Sequence, residues 1–249
     1  MEIITSISNQ KIKDIKKLRL KKYRDKSQEF IVEGEHLVEE ALKNKCLKSI
    51  ITTDHNYDNE ECEILYVNEN VMKQLSLLKS LPTYIGVCNI LENKIALDGD
   101  IVILDGVQDP GNLGTIIRSA LAFNLTNMVL SPDCVDIHNP KVIQASQGAI
   151  FQVNVKYTKL IDYLKYLKEK EYLLLGTTLE NGEVLSKDLN YKQKKAFIFG
   201  SEGQGISREI LAIVDKNYYI EINNIESLNV SCAAAIIFYQ FSTRNGHIE

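Results

Sequence analysis

From Ile101 onward the chain alternates short, continuously apolar runs with helix-period segments, and no other feature constrains its fold as tightly. Strands are expected at Ile101–Leu104, Asn127–Leu130, Gln152–Val155, Tyr172–Thr177, Ala196–Gly200 and Tyr218–Ile222, with helices at Thr115–Asn124, Lys141–Gly148, Leu160–Lys168, Ser207–Val214 and Leu228–Ser242. Strands that are apolar on both faces belong to a mostly parallel sheet covered by helices on each side, an α/β architecture. Ligands of such sheets sit beyond the carboxyl ends of the strands, so the strand-to-helix loops are where chemistry is sought.

The first ninety or so residues form a second, smaller α/β pattern. Phe30–Val32, Leu47–Thr53, Ile64–Val67 and Tyr84–Cys88 read as strands, and Glu35–Asn44 and Glu69–Leu78 as helices. The polar stretch near residues 90–99 has no clear period and places the junction there, giving domains 1–95 and 96–249. Ahead of the first strand, Ile12, Ile15 and Leu18 recur at three-residue spacing within a run of lysines and arginines, which predicts an amphipathic basic helix over Lys11–Lys26.

Charge is unevenly placed. The whole chain of 249 residues carries a formal −4, but in its first 28 residues nine Lys/Arg oppose three Asp/Glu, so the remainder carries −10. A basic arm of this kind can bind phosphate while the body stays acidic. Five cysteines (Cys46, Cys62, Cys88, Cys134, Cys232) are scattered without CxxC spacing, which suggests neither a disulfide framework nor a metal site. The longest apolar stretch, Cys232–Tyr239, falls well short of the roughly 18 residues needed to span a bilayer. A soluble, cytoplasmic protein is expected, with no membrane and no metal partner.

Three loops concentrate glycines and amides. Leu104–Arg118 runs LDGVQDPGNLGTIIR off a strand, with Gly111 and Gly114 permitting close backbone approach, Asn112 offering an amide and Arg118 expected on the first turn of the helix. Phe197–Ser207 reads FIFGSEGQGIS; its GxxGxG spacing is neither the dinucleotide fingerprint nor a P-loop, and Glu202 within it repels phosphate while suiting a cationic or hydroxyl-bearing ligand. Ile220–Val230 reads IEINNIESLNV, with Ser227 as the expected N-cap of the last helix and Ile220, Ile222 and Leu228 as apolar walls for a flat ring.

Taken together, LDGVQDPGNLGTIIRSA, FIFGSEGQGIS and IESLNVSCAAAI resemble, in order and spacing, the three motifs of the SpoU (TrmH-type) branch of the SPOUT RNA methyltransferases. KKYRDKSQEFIVEGEHLVEEAL resembles the RNA substrate-binding domain that precedes the catalytic domain in members acting on ribosomal RNA. The resemblance implies an S-adenosylmethionine-dependent ribose 2′-O-methyltransferase, with a deep trefoil knot in the C-terminal domain and a homodimer as the working unit. By resemblance Gly200, Ile220 and Leu228 bind the cofactor, with Thr177, Gly203 and Ile222 beside them. Asn112, Arg118, Glu202, Ser227 and Asn229 match the catalytic or substrate-contacting positions. Lys16, Lys17, Lys21, Lys22 and Arg24 are the expected RNA contacts.

The resemblance also implies the substrate class: 23S ribosomal RNA, with transfer RNA as the alternative, and a non-catalytic RNA-binding or ribosome-assembly protein on the same fold as the reading from a different class. Two positions depart from the pattern. Glu221 stands where the third motif usually has proline, and Gln144 where close relatives often have arginine.

Overall fold

The computed structural model describes residues 2–90, 94–178, 182–184 and 193–244. The chain packs as two compact units, Met1–Glu92 with Asp136–Phe151, and Asn93–Val135 with Gln152–Glu249. The expected split at residue 95 assigns Asp136–Phe151 to the second domain, whereas in the structure that segment packs with the first unit.

In the first unit, β1 (Ile3–Ile4), α1 (Gln10–Lys17), α2 (Lys21–Ser27), β2 (Glu29–Glu33), α3 (Glu35–Lys43), β3 (Leu47–Thr52), β4 (Glu63–Val67), α4 (Glu69–Leu75) and β5 (Tyr84–Asn89) follow one another. The sheet order is β1-β4-β3-β5-β2, parallel from β1 through β3 and antiparallel across β5. Ile12, Ile15 and Leu18 are buried with Val71, Met72 and Leu75 of α4 against Ile31, Ile51 and Ile85 of the sheet. Each fully buried aliphatic side chain of this kind contributes roughly 2 kcal/mol.

The single basic helix expected over Lys11–Lys26 is two helices. Asn9 caps α1, accepting from the Lys11 N–H at 2.9 Å, and α1 ends at Lys17. The Arg24 guanidinium turns back to donate to the carbonyls of Leu18 and Arg19, both at 2.9 Å, satisfying acceptors that a helix end leaves unpaired. Arg24 is therefore a structural group, only 3% exposed and ion-paired to Asp136 at 2.5 Å, and its expected role as an RNA contact is corrected.

The second unit begins with β6 (Ile101–Asp105), α5 (Pro110–Ala122) and β7 (Asn127–Leu130). The chain then visits the first unit through α6 (Pro140–Ser146), which packs on β2 there, Gln144 donating to the Glu33 carbonyl at 2.9 Å. It returns with β8 (Asn154–Tyr157), α7 (Leu160–Glu169), β9 (Leu173–Thr177), β10 (Glu183–Val184), β11 (Lys195–Gly200), α8 (Arg208–Leu211), β12 (Lys216–Tyr219) and α9 (Val230–Arg244).

The second sheet runs β10-β12-β9-β11-β6-β7-β8, and every pair in it is parallel. Alternate residues explain why its strands are apolar throughout. Ile101, Ile103, Ala196 and Ile198 face a layer containing Leu160, Leu164, Leu167 and Ile210 of α7 and α8. Phe197 and Phe199 on the opposite face meet Phe238 and Phe241 of α9 edge-to-face, with centroids 4.8 to 6.2 Å apart. The mostly parallel, doubly covered sheet expected from the sequence is the one observed.

Candidate active site

Because β6, β9, β11 and β12 run parallel, their carboxyl ends share one edge of the sheet. Gly200 pairs with Asp105, Ile198 with Gly176 and Tyr218 with Thr177, which brings the three glycine- and amide-rich loops together there.

The first loop is shorter than expected. Pro110 opens α5 at its first position, and the Asp109 side chain caps it by accepting from the Asn112 N–H at 2.8 Å. Helix thus starts five residues before the predicted Thr115. Arg118 lies on the third turn rather than the first, about 120° around the helix from Asn112. It is exposed and makes no hydrogen bond or ion pair among the described residues.

The second loop is closed on itself. Ser201 and Gly205 exchange backbone hydrogen bonds of 3.1 and 2.9 Å, and Gly205 has φ of +66°. A Cβ on Gly200 would stand 1.9 Å from the carbonyl carbon of Gly205, so this turn requires glycine at both ends. Gly203 at its tip faces open space. Two polar contacts fasten the neighbouring backbone: the Ser207 N–H donates to Asp105 Oδ2 and the Gly106 N–H to Ser131 Oγ, both at 2.8 Å.

The third loop differs from expectation at its cap. Ile220 and Ile222 lie beyond β12, and with Leu228 they are half-buried. Helix α9 starts at Val230, and Asn229 rather than Ser227 caps it, accepting from the Ser231 N–H at 2.9 Å. Ser227 is exposed and makes no hydrogen bond among the described residues.

Three of the five residues matched to catalytic positions meet directly. Asn112 Nδ2 donates to Glu202 Oε1 at 2.6 Å, and Asn112 Oδ1 accepts from Asn229 Nδ2 at 2.8 Å. One residue from each loop is therefore joined in a carboxylate–amide–amide chain across 117 residues of sequence. Arg118 and Ser227 stand outside this chain as separate exposed groups. At the end of β9, Thr177 donates its hydroxyl to the Ile198 carbonyl at 3.0 Å, while the buried Thr178 Oγ1 has no hydrogen-bond partner among the described residues.

Sequence reasoning missed Thr178 and Ser231. The Asn-x-Ser spacing at the start of α9 was the available signal for the second, since an Asn cap addresses the N–H two residues on. Among the described residues no cluster of His, Cys, Asp and Glu can hold a metal ion, and no helix is long and apolar enough to cross a membrane.

On the first unit, Lys16, Lys17, Lys21 and Lys22 are all exposed. Lys17 pairs with Asp14 at 2.7 Å and Lys21 with Asp25 at 3.0 Å; Lys16 donates to Gln74 at 3.0 Å, and Lys22 Nζ lies 4.8 Å from the Tyr23 ring centroid. Pairs this exposed are worth little and are readily exchanged for another anion.

A parallel α/β sheet with glycine-bounded loops and a carboxylate–amide chain over its strand ends defines a small-molecule-binding enzyme domain, here preceded by a smaller unit that carries a basic N-terminal arm. Residues 100–239 match the SpoU rRNA Methylase family, and residues 9–83 match the MRM3-like substrate binding domain. The chain belongs to the SpoU rRNA methylase family. It is 37% identical over 245 residues to the 23S rRNA (guanosine(2553)-2′-O)-methyltransferase RlmP of Bacillus subtilis (strain 168), covering 96% of this chain and 98% of the relative. A putative RNA methyltransferase of the TrmH family from Porphyromonas gingivalis superposes with a TM-score of 0.85 at 31% identity, covering 96% of this chain and 99% of that one. The AdoMet-bound rRNA methyltransferase from Sinorhizobium meliloti shares the fold, with a TM-score of 0.86 at 24% identity over 100% of this chain and 98% of that one.

Proposed function

We propose that this protein methylates a ribose 2′-hydroxyl of 23S ribosomal RNA, using S-adenosylmethionine. The observation that carries the reading is the near full-length likeness to a 23S rRNA 2′-O-methyltransferase in a chain whose three loops converge on Asn112, Glu202 and Asn229.

The residues at the strand ends fit the cofactor's chemistry. The chain Glu202–Asn112–Asn229 contains no cation, and its one charged group is a carboxylate, which disfavours a polyphosphate and suits a ligand bearing a positive centre. Half-buried Ile220, Ile222 and Leu228 offer apolar walls for a flat ring, and the Thr178 hydroxyl, without a hydrogen-bond partner among the described residues, offers a polar contact. Gly203 leaves backbone accessible at the tip of the second loop, Gly200 lets that loop close tightly on Gly205, and Thr177 frames the end of β9. When bound, the cofactor supplies an activated methyl group on a sulfonium.

The protein then has to hold the ribose oxygen in line with that methyl and assist loss of the hydroxyl proton; alignment supplies most of the acceleration. In this reading Asn112, Glu202, Ser227 and Asn229 orient the nucleotide and the cofactor. Arg118 clamps the adjacent phosphate and stabilises developing alkoxide. A guanidinium holds its proton too firmly to be a good proton acceptor, which favours the clamp over direct base action.

The exposed lysines of α1 and α2 serve as phosphate contacts for the RNA. The family's trefoil knot and homodimer belong to the same proposal. The exposed positions Cys232 and Tyr239 on α9 and Thr115 and Ala122 on α5 support a face that a second copy covers. A cytoplasmic location follows from a ribosomal substrate.

The test is transfer of labelled methyl from S-adenosylmethionine to total RNA from cells lacking the protein, with nucleosides analysed in separated ribosomal and transfer fractions. A 2′-O-methylated nucleoside in 23S RNA is expected. Label confined to transfer RNA moves the substrate class, and absence of both label and cofactor binding points to a non-catalytic RNA-binding protein.

A further inference from the structure

The hydrogen bonds around Asn229 run in one direction, and that direction is imposed from outside the catalytic trio. A carboxamide presents an acceptor on one side and donors on the other, and geometry alone does not tell them apart. Here the backbone decides. The Ser231 N–H, the second helical residue of α9, has no carbonyl of its own helix to bond, so it requires an acceptor, and Asn229 Oδ1 meets it at 2.9 Å. Asn229 Nδ2 is thereby turned toward Asn112, which must answer with its own oxygen at 2.8 Å. Asn112 Nδ2 then faces Glu202 Oε1 at 2.6 Å, where a carboxylate is the matching acceptor. Each group leaves its neighbour a single orientation.

A second donor reinforces the first. Ser231 Oγ lies 2.6 Å from the same Asn229 Oδ1, and Ser231 is only 6% exposed, so little solvent competes for that hydroxyl. The next residue in line, Asn229, is exposed and its side chain would otherwise sample several rotamers. Hydrogen bonds in such a chain polarise one another, so a donor at one end strengthens the contact at the other.

We infer that Ser231 is a positioning residue of the methyl-transfer site: its hydroxyl and backbone N–H together fix the Asn229 carboxamide, and through Asn112 set where the Glu202 carboxylate stands. The inference rests on the proposed function for its catalytic readout. Ser231 is not assigned contact with substrate or cofactor; it acts through Asn229 alone.

Ser231→Ala keeps the backbone donor and deletes the hydroxyl. It is expected to lower kcat about five- to tenfold, as for one lost hydrogen bond, while changing KM for S-adenosylmethionine less than about twofold. Ser231→Thr restores the donor and is expected to recover wild-type kcat to within about twofold. Unchanged kcat in the alanine variant overturns the inference, and so does a loss of kcat that threonine fails to restore. If the wild-type protein transfers no methyl, the functional reading has failed, and the network is tested through thermal stability instead. Ser231→Ala and Asn112→Ala, made singly and together, then support it by non-additive shifts and overturn it by additive ones.

Discussion

Arg24 and Arg118 look alike in the sequence, each a basic residue in a segment expected to meet RNA, and the structure gives them opposite characters. Arg24 is 3% exposed, donates to two carbonyls and is ion-paired to Asp136. Arg118 is exposed on α5 with no hydrogen bond or ion pair among the described residues. A buried guanidinium whose two terminal nitrogens are already engaged holds a structure together, while an exposed one keeps its capacity for a phosphate or a developing negative charge. Residue type therefore does not separate the two roles; the partners do.

The largest effect expected from this contrast is kinetic. Arg118→Ala should reduce turnover by about a thousandfold, comparable to removing an oxyanion-stabilising donor. Its melting temperature and cofactor affinity should stay near wild type, and single-turnover kinetics alongside calorimetry would show both. Activity retained within a few-fold would put Arg118 in the same class as any surface arginine.

Arg24→Ala should do the reverse, costing about 3 kcal/mol of stability by leaving Asp136 and two carbonyls without their partner. Urea unfolding of the variant measures it, and a change of a few tenths would mean that water replaces the guanidinium without loss.

The same cluster carries a pH dependence. Burial is the main reason His138 titrates at about 4 rather than 6.5; Asp136 opposes the shift and Arg24 adds to it. A histidine that stays neutral when folded and is protonated when unfolded lets stability fall with pH, beginning near 6.5 and ending near 4. By pH 5 that loss should reach about 2 kcal/mol. For Asp136, burial pushes the carboxyl up, but the Arg24 hydrogen bond and charge outweigh it and leave the group below its ordinary value. Its contribution is present above the unfolded carboxylate pKa and lost in more acidic solution as Asp136 is protonated in the folded state. Unfolding midpoints of wild type and His138→Gln between pH 7 and 5 separate the two groups, the variant being expected to lose most of the slope.

The smallest effect concerns the lysines that share the basic arm with Arg24. Replacing Lys16, Lys17, Lys21 and Lys22 by glutamine should weaken RNA binding and flatten the log–log salt dependence by about 3, with stability unchanged within roughly 0.5 kcal/mol. Binding isotherms over a range of salt test it; an unchanged slope would return α1 and α2 to ordinary solvated helices.

Much of the second unit was legible because its signals are local. Apolar runs of four to six residues cannot be satisfied on an exposed strand, and helices between them leave a parallel sheet as the arrangement that buries both faces. The three loops were legible as glycine- and amide-rich junctions, and Gly200 and Gly205 explain themselves once Ser201 and Gly205 close the turn. Boundaries were less so. Gly111 and Gly114 read as loop residues and put the start of α5 at Thr115, yet Asp109 and Pro110 start the helix and carry both glycines within it. Ser227 reads as the cap of α9 because serine is a good capping residue, but Asn229 is equally good, and the position of the Ser231 N–H decides for it.

By itself the sequence determined the parallel sheet, the basic N-terminal arm and the three segments where ligand chemistry is concentrated, since hydrophobic period, charge runs and glycine spacing act over a few residues. Tertiary structure decided what depends on residues far apart in the chain: that Asp136–Phe151 joins the first unit, that Arg24 is spent on Asp136, and that Asn112, Glu202 and Asn229 form one directed chain anchored at Ser231. Hydrogen bonds and burial are satisfied in three dimensions, so which polar group is left free to act is settled only when the strands have brought their ends together.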